Sequence, residues 1–134
     1  MTDLDRLRQQ LCRQRLNLAA ATRAAAAATI VERLRRLPLF QQARHVAVYS
    51  AIRGEVDLEA LRHSETTDKH WYLPVIHPGP ERLMQFVRHD PAVVLRKNSF
   101  GIPEPDIASA VIRDPRKLDL VLTPLVAFDA HGHR

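Results

Sequence analysis

Two side chains of this sequence occur in settings typical of ligand-binding sites. Glu55 follows Gly54 in the loop after the first predicted strand, and a carboxylate at a strand end can accept hydrogen bonds from a ligand. Phe100 precedes Gly101 and a Pro-Glu-Pro segment, which would present an aromatic ring on a stiff loop suited to covering a flat heterocycle. Each has a plainer alternative, since Glu55 could be a solvated surface residue and Phe100 could fill the core.

The C-terminal residues combine a strand pattern with polar side chains. Nearly every residue from Leu120 onward is apolar, which predicts a strand from Leu118 to about Val126 with cover on both faces and parallel neighbours. Asp129 and Arg134 follow this strand, and ligand-binding loops of α/β proteins lie at the carboxyl ends of such strands. We therefore expect the chemistry of the protein at this end of the sheet.

Several common catalytic patterns are missing from the sequence. No glycine belongs to a G-x-G-x-x-G or Walker phosphate loop, and no serine lies in a G-x-S-x-G elbow. Cys12 is the sole cysteine and has no identifiable base, so nucleophilic catalysis has no candidate. His131 and His133 could face the same side of an extended segment but lack a third ligand, so we expect no metal site within the chain.

The N-terminal residues predict a helix that carries basic side chains. An apolar stripe at helical spacing is formed by Leu4, Leu7, Leu11 and Leu18. This stripe predicts a helix over residues 3–17, flanked by Arg8 and Arg15 as the better-placed anion ligands, with Arg6 and Arg13 on the far side. The alternative is that all four arginines only solubilise the helix.

A second helix is predicted by an alanine-rich segment. Apolar residues keep helical spacing from Ala19 to Leu37, and Pro38 cannot continue the helix. One straight helix through both segments would be too long for a compact domain of this size. A break between Asn17 and Thr22 is therefore required.

The centre of the chain predicts strands with one short helix among them. The expected strands are His45–Ser50, His70–Ile76 and Leu83–Val87. Asp57 can cap a short helix after the first strand. The proline-glycine turn at His77–Pro80 suggests that the other two strands are antiparallel neighbours, and Pro74 argues for a strand end or an edge. The proline-rich residues 88–117 are expected to be dominated by loops.

The order of these elements indicates a single α/β domain over residues 1–134. We expect a three-layer helix/sheet/helix fold with a Rossmann-like mixed sheet and two N-terminal helices. The formal net charge of +5 can attract phosphates, carboxylates or nucleic acid. No apolar stretch is long enough to span a membrane, and a lone cysteine fits a reducing compartment, so a cytoplasmic protein is expected.

Five short motifs follow one another along the whole chain. They are Leu7-Arg8-x-x-Leu11-x-x-x-Arg15-x-x-Leu18, Tyr49-Ser50 followed by Gly54-Glu55-Val56-Asp57, Tyr72-Leu73-Pro74, Phe100-Gly101-Ile102-Pro103-Glu104-Pro105, and Pro124-Leu125-Val126-Ala127-Phe128-Asp129-x-x-Gly132-x-Arg134. In this order they resemble the 5-formyltetrahydrofolate cyclo-ligases, also called methenyltetrahydrofolate synthetases. The resemblance implies a reaction that depends on ATP and Mg²⁺ and acts on 5-formyltetrahydrofolate, free or polyglutamylated, to give 5,10-methenyltetrahydrofolate.

The resemblance also implies roles for individual residues. The residues that would bind ATP are Leu4, Asp5, Arg6, Leu7, Arg8 and Arg134. The residues that would bind the folate are Tyr49, Ser50, Glu55 and Phe100. Arg8 would contact phosphate, Glu55 would accept hydrogen bonds from the pterin edge, and Phe100 would stack on the ring system. Arg134 would be the catalytic residue, whose positive charge stabilises the transferring phosphoryl group.

The sequence departs from the family pattern at two places. Many relatives carry lysine where this chain has Leu4 and Asp5, which leaves Arg6 as a differently directed substitute. The family continues after its equivalent of Arg134 with a glycine-rich Leu-Gly-x-Gly-x-Gly-Tyr-Tyr-Asp stretch that supplies a phosphate cradle and a magnesium-binding acid. We therefore expect residues 1–134 to be a truncated member that does not complete catalysis by itself.

Two other function classes stay open on the residues alone. A related α/β enzyme acting on sugar phosphates or thioesters would share the fold without requiring Glu55 or Phe100. A basic nucleic-acid-binding module is motivated only by charge and predicts binding that weakens steeply with salt.

Overall fold

The computed structural model describes residues 1–63, 69–76, 83–90, 94–106 and 111–134. Its helices are α1 (Asp3–Asn17), α2 (Ala20–Arg36), α3 (Pro38–Gln42) and α4 (Glu59–His63), with a 3₁₀ turn at Pro115–Lys117. Its strands are β1 (His45–Ala47), β2 (His70–Ile76), β3 (Met84–Arg88), β4 (Leu95–Lys97), β5 (Pro103–Pro105), β6 (Ile112–Arg113) and β7 (Leu120–Val121). Among the described residues, no helix is both long and apolar enough to cross a membrane.

The two N-terminal helices lie where the sequence predicts them. Thr2 and Asp5 form a capping box that satisfies free backbone N–H groups at the start of α1. Leu18 and Ala19 adopt extended conformations between the helices, which confirms the required break. Leu37 ends α2 with an extended backbone, as expected before a proline.

The sequence analysis did not predict α3. Pro38 ends α2 but also occupies the first turn of α3, where a missing N–H costs nothing. The buried ring of Phe40 and the ammonium of Lys69, which donates to the carbonyls of Phe40 and Ala43 at 2.6 Å each, hold this short helix in place. Such long-range contacts leave no periodic signal in a five-residue helix.

The main sheet is mixed, with the strand order β6-β3-β2-β1-β7. Parallel pairs join β1 to β2 and to β7, and antiparallel pairs join β3 to β2 and to β6. These pairings confirm the mixed α/β sheet and the antiparallel neighbours predicted at positions 70–76 and 83–87. The predicted turn at His77–Pro80 lies outside the described residues.

Pro74 lies inside β2 rather than at its end. It is opposite Phe86 of β3, whereas the pairing of β2 with β1 stops at Tyr72, opposite Ala47. On the side of β1, β2 is therefore an edge at this point, as the proline suggested. A residue without an N–H is tolerated there because no ladder bond to β1 is required.

The expectation for the final strand was wrong. The final strand is only Leu120–Val121, pairs with β1 alone and lies at the edge of the sheet, with Val121 43% exposed rather than covered on both faces. The parallel neighbour was predicted correctly. The described part of residues 88–117 holds no long regular element, as expected, but β4 and β5 form an antiparallel hairpin and β6 extends the main sheet, which the sequence did not predict. These strands have two or three residues each, too short for a hydrophobic pattern.

One apolar core joins three helices to the sheet. Its buried members are Val31, Phe40, Val48, Leu58, Leu61 and Leu73. In this order they belong to α2, α3, the position after β1, the position before α4, α4 and β2. The N-cap of α4 follows the prediction, because the Asp57 side chain accepts a hydrogen bond from the N–H of Glu59 at 2.9 Å. In contrast, α1 has no buried residue.

The amino end of the sheet is predicted to make stability depend on pH. His45 stacks on His70 at 5.1 Å between ring centroids, and its Nδ1 lies 3.0 Å from the Tyr72 hydroxyl. Burial, followed by the charges of Arg113 and His70, lowers the pKa of His45 below its ordinary value. The unfolded chain therefore binds a proton more readily than the folded chain does.

Stability from the neutral His45 ring should be fully present above about pH 6.5 and lost progressively as pH falls through the lowered pKa. Melting temperatures should therefore decline as the pH is lowered from about 8 to about 5. His45→Gln should flatten this decline, and His63→Gln, at an exposed position of α4, is the matched control. An unchanged slope in His45→Gln would contradict the assignment.

Candidate functional site

Two adjoining cavities open at the carboxyl ends of β1 and β7. The larger has a volume of about 430 Å³ and is bounded by α1, α2 and residues 122–128; we call it the helix-side cavity. The smaller has a volume of about 190 Å³ and is bounded by β2, β3 and Ile102 beside the β4–β5 hairpin; we call it the hairpin-side cavity. Both are lined by Tyr49, Glu55, Leu122, Thr123 and Pro124. These five residues therefore form a common wall.

Glu55 is held by a tight turn after β1. Arg53 and Gly54 both adopt positive φ angles, of 49° and 75°. The Glu55 N–H donates to the Ile52 carbonyl at 3.0 Å, and Glu55 Oε2 accepts from the Ile52 N–H at 3.1 Å. No described residue donates a hydrogen bond to Oε1 of the half-buried Glu55. One carboxylate oxygen thus fixes the loop while the other can accept a hydrogen bond from a ligand.

Tyr49 forms a rigid part of the common wall. Its hydroxyl donates to the Val56 carbonyl at 2.7 Å, so the phenol spans the loop that carries Glu55. Burial, followed by the negative charges of Glu55 and Asp57, raises the pKa of Tyr49 to about 12. The phenol therefore stays neutral at physiological pH and keeps its hydrogen bond. It can orient the site but does not supply a proton acceptor.

Ser50 and Phe100 occupy different positions relative to these cavities. Ser50 lines the hairpin-side cavity together with Glu55. Phe100 lies at the tip of the hairpin, 60% exposed, and lines neither cavity. Its backbone N–H donates to Asn98 Oδ1 at 2.8 Å, and Ile102, two residues later, reaches the hairpin-side cavity. The alternative that Phe100 fills the core is wrong.

The β4–β5 hairpin is held against the main sheet by the carboxylate of Glu104. Glu104 Oε1 accepts from Asn98 Nδ2 at 2.6 Å and from the Ile76 N–H at 3.3 Å. These bonds fix the hairpin beside β2 while leaving its tip exposed. Phe100 therefore lies at the exposed tip of a hairpin whose base is fixed to the sheet.

The start of α1 is exposed. The residues implicated in ATP binding there are Leu4, Asp5, Arg6, Leu7 and Arg8, and none of them lines either cavity. Leu4 is 77% exposed, and Arg6 pairs with Asp3 at 3.9 Å. The side-chain hydrogen bond from Thr2, and then its backbone bond, lower the pKa of Asp5. In this arrangement Asp5 serves the helix cap.

Arg134 reaches back to the common wall. Its Nη1 lies 3.5 Å from Thr123 Oγ1, and Thr123 lines both cavities. The chain is turned by Asp129, which accepts from the N–H groups of His131 and His133 at 2.8 and 2.9 Å. The Asp129 carboxylate also binds the His133 ring at 2.8 Å, the first cause of its lowered pKa. The turn brings a guanidinium to the rim of the site.

The sequence analysis singled out Arg15 but missed its contacts. Arg15 lines the helix-side cavity, and its guanidinium donates to the carbonyls of Arg53 and Leu125. Thr123 and Pro124 complete the common wall, and Thr123 was not predicted, whereas Pro124 begins the fifth motif. Within the described ranges, no group of three metal-binding side chains lies together.

Comparison with known proteins agrees with this architecture. The model of the 5-formyltetrahydrofolate cyclo-ligase family matches residues 1–134. The 5-formyltetrahydrofolate cyclo-ligase of Haemophilus influenzae is 33% identical over 96% of this chain and 69% of its own length. The enzyme of the same name from Escherichia coli strain K12 is 34% identical over 76% of this chain and 57% of its own length.

Two solved structures share the fold. The Aquifex aeolicus 5,10-methenyltetrahydrofolate synthetase superposes with a TM-score of 0.83 at 33% identity, over 97% of this chain and 64% of that chain. The Mycoplasma pneumoniae 5,10-methenyltetrahydrofolate synthetase has a TM-score of 0.67 at 18% identity, over 95% of this chain and 66% of that chain. The chain thus spans about two thirds of the length of these relatives. The resemblance seen in the sequence is confirmed, and the chain belongs to the 5-formyltetrahydrofolate cyclo-ligase family.

Proposed function

We propose that this protein serves the ATP-dependent cyclisation of 5-formyltetrahydrofolate to 5,10-methenyltetrahydrofolate. The formyl oxygen takes the terminal phosphoryl group of ATP, ADP leaves, the second folate nitrogen attacks the activated carbon, and inorganic phosphate departs. The observation that carries the proposal is the common wall, where Tyr49 and Glu55 border two adjoining cavities. Two ligands that must react with each other can occupy such neighbouring sites.

The hairpin-side cavity is proposed to hold the pterin ring system. Its walls are mostly apolar and include Pro74, Phe86 and Ile102, and the polar side chains of Ser50 and Glu55 also line it. A flat heterocycle with N–H donors along one edge matches this combination, because the apolar walls cover its faces and Glu55 Oε1 accepts from its edge. Phe100 would then complete the stack only after the hairpin tip moves toward the ring.

Positive charge at the rim is proposed to bind the nucleotide. Arg134 lies at the common wall, and Leu4 to Arg8 would approach the phosphates from α1, with Arg8 contacting a phosphate. Mg²⁺ would neutralise phosphate charge when bound with ATP. Since no metal-binding cluster lies among the described residues, we propose no protein ligand for Mg²⁺ in this part of the chain.

Further aspects of the proposal concern the setting of the reaction. Residues 1–134 are proposed to belong to one α/β domain, since α2, α3, α4 and the sheet share one core. A cytoplasmic location is proposed because Cys12 is the sole cysteine and a folate reaction with ATP suits a reducing compartment.

The proposed activity is tested by following the methenyl product through its absorbance. Because residues 1–134 alone are not expected to complete catalysis, protein extended by the family's glycine-rich segment is mixed with 5-formyltetrahydrofolate, ATP and Mg²⁺. Parallel reactions omit ATP or replace 5-formyltetrahydrofolate with a sugar phosphate. Product that forms only in the complete mixture supports the proposal. Binding of 5-formyltetrahydrofolate is measured on the same sample by calorimetry. A protein that neither binds this folate nor forms product would refute the proposed function.

Arg134→Ala is expected to lower kcat by roughly 10- to 1,000-fold, because a charge near the transferring phosphoryl group is lost. The KM for 5-formyltetrahydrofolate should change little, since Arg134 contacts Thr123 at the rim and lines neither cavity. Arg116→Ala is the matched control, because Arg116 is an exposed arginine paired with Asp114 beyond the opposite end of β7. Equal kcat values for the two variants would rule out the proposed role of Arg134.

A further inference from the structure

Arg15 joins the two chain segments that form the site. Its Nε donates to the Arg53 carbonyl at 3.2 Å, and its Nη1 donates to the Leu125 carbonyl at 3.4 Å. Arg53 belongs to the loop that carries Glu55, whereas Leu125 belongs to the segment that follows β7. Both segments line the helix-side cavity, and Arg15 lines it as well. The Arg15 side chain of α1 therefore connects the loop that carries Glu55 with the segment that follows β7.

We propose that Arg15 is a positioning residue, which sets the placement of the Glu55 loop relative to residues 122–128 for the cyclisation reaction. The proposal rests on the proposed function for its kinetic consequences, but its structural content stands on the two hydrogen bonds. It assigns to Arg15 neither contact with substrate nor proton transfer. The sequence pattern suggested an anion ligand instead.

The loop that Arg15 holds needs support. Arg53 has a φ of 49°, a left-handed conformation that is unfavourable for a non-glycine residue. Such strain persists only where surrounding contacts hold it. The stem of Arg15 also packs under the turn, since a Cβ placed on Gly54 would lie 3.5 Å from Arg15 Cγ. Without Arg15, the turn would lose both a hydrogen bond and this packing, and Glu55 would lose its fixed position.

The guanidinium suits this role better than an ammonium. Its donors diverge in one rigid plane, so Nε and Nη1 can reach two carbonyls of different segments at once. Among the described residues Arg15 forms no ion pair, and both of its acceptors are neutral. Geometry rather than charge neutralisation therefore explains its contacts. A lysine keeps the charge but cannot reproduce the two directions.

Three substitutions separate these features. Arg15→Met removes both hydrogen bonds and the charge, and Arg15→Lys keeps only the charge. Arg15→Gln places an amide nitrogen where Nε was, so it can retain the bond to Arg53 while losing the bond to Leu125. Arg13→Gln is the matched control, because Arg13 is an exposed arginine on the same helix that lines neither cavity.

The first measurement is hydrogen–deuterium exchange of the full chain without ligand. Amides of residues 52–56 should exchange about tenfold faster in Arg15→Met and Arg15→Lys than in Arg13→Gln, because the loop opens more often. Arg15→Gln should stay close to the control at these amides. This readout does not depend on the enzyme activity. Exchange at control rates in both Arg15→Met and Arg15→Lys would overturn the proposal.

The second measurement is the KM for 5-formyltetrahydrofolate. All three Arg15 variants should raise it by about 10- to 100-fold, including Arg15→Gln, because the link to Leu125 is broken in each. In a Glu55→Gln background the same substitutions should add little, since they act through Glu55. Additive effects, or Arg15→Gln kinetics equal to those of Arg13→Gln, would refute the positioning role. A wild-type protein that neither binds 5-formyltetrahydrofolate nor forms product would refute the proposed function instead, and the exchange data would still decide the role of Arg15.

Discussion

Glu55→Gln is expected to lower kcat/KM for 5-formyltetrahydrofolate by about 10- to 100-fold, the loss of one hydrogen bond to a charged acceptor. The reason is that Glu55 lines both cavities and its Oε1 accepts no hydrogen bond from the described residues, whereas Oε2 is engaged by the Ile52 N–H. Glutamine keeps one oxygen, which can still accept from Ile52 and preserve the loop. The effect should therefore come from the ligand contact, and initial rates over a range of folate concentrations would measure it.

The matched control for this experiment is Glu32→Gln. Glu32 is a half-exposed carboxylate of α2 that pairs with Arg35 and Arg36 on the helix surface. Its substitution should change kcat/KM by less than about twofold, because surface ion pairs contribute little. A Glu55→Gln variant with the same kinetics as Glu32→Gln would show that Glu55 is only a solvated loop residue.

Gly54→Ala is expected to impair stability and folate binding together. The φ of Gly54 is 75°, which alone costs an alanine about 1–2 kcal/mol of unfolding free energy. A Cβ at this position would also lie 3.0 Å from Arg23 Nη1, so either the Arg23 side chain or the turn must shift by a few tenths of an ångström, whereas Leu16 Cδ2 at 3.5 Å is an ordinary contact. Because Glu55 is the next residue, the shift should weaken 5-formyltetrahydrofolate binding by about tenfold or more.

Gly101→Ala separates the backbone cost from the steric cost. Gly101 has a φ of 77°, close to that of Gly54, but nothing lies within 4 Å of a Cβ placed on it. Urea denaturation should therefore show the backbone cost in both variants and an additional loss only in Gly54→Ala. Equal losses in the two variants would mean that Arg23 moves aside freely and that the packing behind Gly54 does not hold the loop.

Local patterns predicted those elements whose stability is encoded within a few residues. The boundaries of β2 coincide with the apolar run His70–Ile76. The spacing of apolar residues marks both α1 and α2, and α1 begins at the Thr2 cap. Asp57 was recognised as a cap for the same reason. In each case the chain carries its own start or stop signal.

Tertiary contacts decided the elements that the sequence did not predict. Pro38 was predicted only to end α2, but it also begins α3. Lys69, from beyond α4, donates to the carbonyls of Phe40 within α3 and Ala43 just after it. The apolar run after Leu118 predicted a long, covered strand, but its backbone bonds to β1 end with the Leu122 N–H, and only Leu120 and Val121 form the strand. Hydrophobicity reports what can be buried, whereas pairing determines what becomes a strand.

The site was predictable in part for the same physical reason. Glu55 was singled out because it follows a strand, and its place at the carboxyl end of the sheet follows from α/β topology. Tyr49 and Ser50 were connected to the site only by the family motifs. Phe100 and Arg8 were indicated by local patterns as well as by the motifs, and neither lines a cavity. The bridge from Arg15 to Leu125 joins residues far apart in the chain through backbone carbonyls, which leave no trace in side-chain types.

The central claim is that 5-formyltetrahydrofolate binds at the common wall formed by Tyr49, Glu55 and residues 122–124. Hydrogen–deuterium exchange with and without this folate tests it most directly, because the protected amides locate the ligand. The account predicts protection at residues 49–56 and 122–126, and none at the amino ends of β1 and β2. Protection confined to the opposite edge of the sheet, or to the exposed start of α1, would contradict it.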